Sequence, residues 1–144
     1  TESFVDLAEP EPVAANREGL RNQIEAQLPR EGTPLYEVTQ ATFDEAVEAY
    51  DPLRINAVIV LSDGENDDGD RDDDEQQLND LISSLRESTS GELAKPIRIF
   101  PIAYGDGADT TVLRRIAEAS NSTFYDARDP ATIDRVFAAV VSNF

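Results

Sequence analysis

Residues Ile55–Asp68 read INAVIVLSDGENDD. An apolar run through Leu61 stops at Ser62, and Asp63, Gly64, Glu65 and Asn66 follow at once. A strand buried on both faces has this appearance, because a parallel sheet covered by helices leaves no face for polar side chains. The carboxylate that follows it sits at the carboxyl end of the strand. Open α/β sheets bind their ligands at that end. Asp63 is therefore the first residue to consider for chemistry.

Working downstream, Leu78, Leu81, Ile82 and Leu85 recur at helical spacing and predict a helix. Ser88–Gly91 is a polar connector, and Ile97–Ala103 is a second strand. Pro101 lies inside that strand and lacks a ladder donor, so a bulge or an unpaired side is expected there. Asp109 is placed to cap a helix built on Val112, Leu113, Ile116 and Ala117. Thr123–Tyr125 is a short strand. Asp129-Pro130 opens a last helix with Ile133, Val136, Phe137, Val140, Val141 and Phe144 on one stripe. From residue 55 onward strand and helix alternate three times, which predicts a parallel, three-layer α/β sheet with right-handed crossovers.

Upstream, Ser3–Leu7 has the look of a strand's tail, and Glu9–Pro12 is a turn-rich break. Asn16 is placed to cap a helix with Leu20, Ile24 and Leu28 on its apolar face, ended by Pro29–Gly32. Thr33-Pro34 reads as the start of the next helix, Thr33 as cap and Pro34 as first helical residue. Leu35, Val38, Phe43, Ala46, Val47 and Tyr50 form its apolar face. Asp51-Pro52 breaks the chain before the first clear strand.

Composition narrows the chemistry. A chain of 144 residues with 40% hydrophobic content fits one globular domain, residues 1–144. The formal net charge is −18, which disfavours nucleic acid and anionic membrane surfaces. Residues 63–75 concentrate that charge, with nine acidic residues against Arg71 alone. Such a run reads first as a solvated, mobile loop. Lys95 is the only lysine, which suits a GC-rich genome or a salty habitat. The chain has no Cys and no His. Thiolate metal sites, disulfides, the Ser-His-Asp triad and imidazole catalysis are thereby excluded. No apolar run reaches the roughly 18 residues that span a bilayer, and no signal peptide is visible. The first residue is Thr1 rather than Met, which suggests a piece of a longer protein.

Several motifs fail. The acidic run matches the calcium loop of an EF-hand in no register: from Asp68, position six is Asp73 rather than glycine and position twelve is Asn79. Ile59–Glu65 could serve as a Walker B strand, but no G-x-x-x-x-G-K-[ST] accompanies it. The loop Tyr104–Gly107 carries no dinucleotide fingerprint. A phosphoryl-transfer domain with Asp63 as nucleophile would need an acidic pair after an earlier strand and a late lysine, and Lys95 precedes its strand.

Four stretches together resemble the von Willebrand factor A-like family. They are Leu28–Tyr36 (LPREGTPLY), Val58–Asn66 (VIVLSDGEN), Ile102–Gly105 (IAYG), and Leu113–Ala117 leading to Phe124-Tyr125 and the final helix. The likeness runs over roughly residues 3–144. It implies a Rossmann-like, doubly wound, mostly parallel sheet, here without its N-terminal strand. It implies a Mg²⁺ site at the carboxyl edge of that sheet, with Thr33 matching the family's loop threonine and Asp63 its later aspartate. The family's first metal motif, Asp-x-Ser-x-Ser, does not occur in the chain. Since Mg²⁺ wants near-octahedral oxygen ligands, Thr33 and Asp63 are half of a site.

The resemblance further implies a non-enzymatic protein-binding, adhesion or assembly module, whose metal edge captures an acidic residue of a protein partner. The closest likeness is to bacterial cell-envelope domains, which implies an extracytoplasmic location. The alternative is a domain serving a cytoplasmic, ATP-driven metal-chelatase or remodelling complex. With the N-terminal strand missing, the open sheet edge is expected to self-associate, to take a second polypeptide, or to be covered by an N-terminal segment.

Overall fold

The computed structural model describes residues 12–28, 32–63, 65–90 and 94–142. The chain divides into two compact units, residues 1–32 and 33–144. The expected strand at Ser3–Leu7 lies outside the described residues.

The first unit contains helix α1 (Val13–Glu25). It starts earlier than Asn16 predicts. Pro12 precedes the first helical residue with φ −57°, an angle already suited to helix entry, and its carbonyl accepts from the amides of Ala15 and Asn16. Asn16 is thus inside the helix and caps nothing. Leu28 falls beyond the helix end and is exposed.

In the second unit the order is α2 (Leu35–Glu48), β1 (Ala57–Ser62), α3 (Asp74–Ser88), β2 (Arg98–Ala103), α4 (Thr110–Ala119), β3 (Tyr125–Asp126), a 3₁₀ turn at Pro130–Thr132, and α5 (Ile133–Ser142). The strands form one parallel sheet in the order β1-β2-β3. Alternation of side chains along the strands makes two cores. Val58, Val60, Ile97, Ile99 and Ala103 face one side, with Leu35 and Phe43 of α2, Leu78, Leu81 and Leu85 of α3, and Leu113 and Ile116 of α4. Phe100, Ile102 and Ala57 face the other, with Ile133, Val136 and Val140 of α5. This is the three-layer α/β arrangement the strand–helix alternation predicts.

Pro101 pairs in register with Val60, and the six-residue ladder between β1 and β2 runs without a bulge. The amide of Tyr104 reaches Ser62 O at 2.8 Å, so even-numbered residues of β2 turn their backbones to β1. Odd-numbered ones turn the other way, toward a β3 that pairs only at Ile102 and Ala103. At Ile99 that side is served by hydroxyls: Ser120 Oγ accepts from the Ile99 amide at 3.0 Å, and Ser122 Oγ donates to the Ile99 carbonyl. Pro101 occupies the next odd position, where a strand neighbour is missing, and its lack of an N–H costs the ladder nothing.

Asp109 caps α4 as its position predicts, its carboxylate accepting from the amides of Thr111 (2.9 Å) and Val112 (3.0 Å). Asp109→Ala is expected to cost about 1 kcal/mol, read as a lower urea midpoint at unchanged slope. Asp129 performs a related service for the 3₁₀ turn before α5, its carboxylate accepting from the amide of Ala131 and its carbonyl from that of Thr132. The last helix therefore begins at Ile133 rather than directly at Pro130.

Candidate metal centre

The carboxyl end of β1 delivers Ser62 into the core and Asp63 to solvent. Beside it runs a cleft of about 330 Å³ between β1 and α2. Its walls are mostly apolar, from Leu35 and Val38 on the helix, beside Thr39 and Thr42, and Val58 to Leu61 on the strand. Its polar end is lined by Thr33, Ser62 and Asp63. The two residues singled out from the sequence therefore line one cleft at one end of the sheet. Gly105 completes this rim. It has φ +78°, a left-handed conformation that glycine adopts without strain, and a Cβ placed on it would lie 3.5 Å from Asp63 Cβ.

Thr33 does not reach this position as a helix cap. α2 starts at Leu35, Pro34 precedes it with ψ 63°, and no side chain caps the helix. Proline at the position before the helix displaces the start by one residue. Thr33 instead forms an isolated antiparallel bridge with Asp67, its amide donating to Asp67 O at 2.7 Å and its carbonyl accepting from the Asp67 amide at 2.9 Å. The start of the acidic run is thereby pinned to the chain entering α2. The Thr33 hydroxyl is left out of capping.

Asn66 is the residue that sequence reasoning missed. It is buried, and its side chain joins two helix starts. Its Oδ1 accepts from the amide of Tyr36 in the first turn of α2 at 3.2 Å, and its Nδ2 donates to Asp74 Oδ1 at the start of α3 at 2.6 Å. A side-chain amide can accept at one end and donate at the other. The available signal was a lone amide three residues after Asp63, between two acids.

The acidic run is more ordered than a solvated loop. Its last members, Asp74 and Glu75, form the first turn of α3, where the helix dipole favours negative charge. Asp68 accepts from the Asp70 amide and Asp70 from the Asp72 amide, each at 3.0 Å. Gln77 Nε2 donates to Asp68 at 2.8 Å and Asp73 at 3.0 Å. The Asp70 amide, then Gln77, hold the Asp68 carboxyl below its ordinary value. Tyr36 is raised, first by burial and then by the charges of Asp74, Asp109 and Glu75, against the opposing pull of Arg115. Around the same helix starts, Arg115 of α4 reaches Asn79 and Glu75 of α3, tying these neighbours across their exposed surface.

Compared with known families, residues 17–139 match the von Willebrand factor type A domain. The chain belongs to that family. Comparison with curated proteins and with solved structures returns no match. Domains of this type are Rossmann-like α/β folds that generally serve as non-enzymatic interaction modules, mediating protein–protein contact or adhesion, and usually bind a divalent metal.

Two groups of oxygen donors bear on a metal in this A domain. The rim pair, Thr33 and Asp63, offers a hydroxyl and an exposed carboxylate on one cleft. Both are hard oxygen donors of the kind Mg²⁺ takes. Mg²⁺ gives up water reluctantly and is commonly held through one or two carboxylates with several waters retained. The pair offers two of the six positions of such a shell, so waters or further oxygens would have to complete it. The second group is Asp68, Asp73 and Asp74, whose carboxylate oxygens lie within 4.8 Å of one another. Each of these carboxylates already accepts an amide N–H, from Asp70, Gln77 or Asn66. Those bonds account for the cluster as a device that orders the chain before α3. No helix among the described residues is long and apolar enough to cross a membrane.

Proposed function

We propose that this A domain is a non-enzymatic protein-binding module, used in adhesion or assembly, whose recognition surface is the rim at the carboxyl end of β1. The observation that carries the reading is the convergence of Thr33 and Asp63 on one cleft, with Gly105 turning closely past Asp63. Mg²⁺, when bound, supplies a positive centre with exchangeable water positions. Asp63 contributes the charge that attracts it, and Thr33 a neutral oxygen on the facing chain. Asn66 and the Thr33–Asp67 bridge fix the distance between the two chains that carry these donors.

An acidic side chain of a protein partner is the ligand this chemistry selects. With a net charge of −18, the domain repels such a group unless a cation intervenes. Self-association along the edge of β1 that has no neighbour among the described residues belongs to the same reading of the module as a protein binder. Its resemblance to cell-envelope domains supports a place outside the cytoplasm.

Calorimetric titration of the whole chain with MgCl₂ tests the metal rim. Weak, saturable binding is expected, reduced about tenfold or more by Asp63→Asn, the equivalent of about 1.4 kcal/mol, and less by Thr33→Ala. Binding that survives Asp63→Asn unchanged and disappears in Asp68→Asn would reject the rim.

A further inference from the structure

We propose that the cavity between the first two turns of α2 and α3 is a second recognition site, which takes an arginine side chain of a protein partner. The inference rests on reading the chain as a protein-binding module and requires no metal.

The cavity holds about 280 Å³ and is lined in layers. Tyr36 of α2 and Leu81 of α3 are buried and form its floor. Gln40 and Gln77 are half-buried and stand above them, one on each helix. Asp68 and Asp80 are exposed and place their carboxylates at its mouth. Tyr36 and Gln40 are four residues apart on α2, as Gln77 and Leu81 are on α3, so each helix presents one apolar and one amide side chain on the same face.

Hydrogen bonds around the cavity leave acceptors open. An ionised carboxylate can only accept, so a glutamine amide that meets one turns its nitrogen toward it. Gln77 Nε2 donates to Asp68 at 2.8 Å and to Asp73 at 3.0 Å, which uses both of its hydrogens. Gln40 Nε2 donates to Asp44 at 2.9 Å. The amide oxygens of both glutamines remain. So does the carboxylate of Asp80, which has no partner among the described residues. A ligand that fits must bring hydrogen-bond donors, positive charge and a surface that lies well on an apolar floor.

Cations differ in how they meet those demands. Mg²⁺ wants oxygen on all sides and keeps its water, and the side chain of Leu81 and the ring of Tyr36 offer it none. A lysine ammonium is a compact, strongly hydrated point charge. A guanidinium is flat, weakly hydrated and carries five N–H donors around its edge. It can lie against aromatic and aliphatic carbon while that edge meets oxygens on both helices. Charge also selects the source. Free arginine brings a carboxylate that Asp68 and Asp80 repel, whereas within a polypeptide that charge is gone. The adjoining acids Asp70, Asp72 and Asp73 extend the same attraction to basic neighbours in the partner.

The mouth is held in place before any ligand arrives. Asp68 accepts from the Asp70 amide as well as from Gln77, and Asp67 beside it is bridged to Thr33. Little ordering is left for binding to bring about.

Amide NMR spectra of the whole chain in EDTA at low salt, titrated with the peptide acetyl-Gly-Arg-Gly-amide, test the site. The signals of Gln40, Gln77 and Asp80 should shift to saturation while those of Asp63 and Gly105 stay in place, and added salt should weaken the binding. The same peptide with lysine for arginine, and free arginine, should each bind more weakly. Asp80→Asn, at an exposed position, should lower the affinity about threefold, as one exposed charge pair contributes. Asp134→Asn makes the same charge change at an exposed position of α5, across the sheet, and should leave the affinity unchanged. Shifts that never saturate, Asp80→Asn without effect, or an equal loss in both variants would each overturn the proposal. A lysine peptide or free arginine that binds as tightly as the arginine peptide would overturn the choice of ligand. Because EDTA is present throughout, these outcomes are independent of whether Thr33 and Asp63 hold Mg²⁺.

Discussion

Phe100→Ala is expected to cost the fold about 3–5 kcal/mol, the usual range for truncating a buried aromatic ring. Phe100 is 1% exposed, lies on the central strand β2, and is the largest fully buried side chain of the smaller core. It sits with Ile102 beneath Val136 and Val140 of α5, and its ring lies 6.5 Å from that of Tyr125, tilted by 42°. That face of the sheet is covered by one helix among the described residues, so the truncation removes the main contact between β2 and α5. The loss should appear as a lower urea midpoint for the whole unit, with amide exchange in α5 accelerated most. An effect below about 1 kcal/mol, typical of surface positions, would mean that α5 contributes little to the packing.

Asn66→Asp is the second large effect, through charge rather than volume. The amide that donates to Asp74 at 2.6 Å becomes a carboxylate facing a carboxylate in a buried position. The expected cost at neutral pH is about 3 kcal/mol, combining a lost charge-assisted hydrogen bond with uncompensated buried charge. The sign of the pH dependence follows. Two facing carboxylates raise the pKa of the pair in the folded state above the unfolded value. The penalty is fully present above that raised folded pKa and shrinks as pH falls through it, because one proton then restores a donor between the oxygens. Stability curves against pH for the variant and the parent should converge toward acid. Parallel curves would show that Asn66 is not bonded to Asp74. Asn66→Ala should be milder and nearly flat with pH, since it adds no charge.

The sequence was most legible where one physical rule acted alone. The run ending at Leu61 announced the strand β1 but not its burial, since Ile59 and Leu61 are exposed on one face. The helical spacing of Leu78, Leu81, Ile82 and Leu85 marked four residues that are all buried. Asp109 announced its cap because nothing nearby competes for it. Helix starts were misread where proline competed with a polar cap. Pro12 overrode Asn16, and Pro34 freed Thr33 from capping. Pro101 was legible as an oddity, but its resolution needed two serines some twenty residues away.

The site was half legible. Asp63 and Thr33 were named from chemistry and resemblance, and their meeting on one cleft required the fold. Asn66 and the Thr33–Asp67 bridge were hidden because both depend on long-range partners. A charge run tells its composition but not which acids begin a helix, so Asp74 and Glu75 read as loop when they are the first turn of α3.

The central claim is that Thr33 and Asp63 form a cation-holding rim. Its most direct test is paramagnetic broadening in an amide NMR spectrum of the whole chain as MnCl₂ is added in small increments, Mn²⁺ standing in for Mg²⁺ as another hard, oxygen-seeking ion. The account predicts that the signals of Thr33, Asp63 and Gly105 broaden first, and that Asp63→Asn abolishes this effect. Broadening that begins at Asp68, Asp73 and Asp74 while Gly105 stays sharp would contradict it.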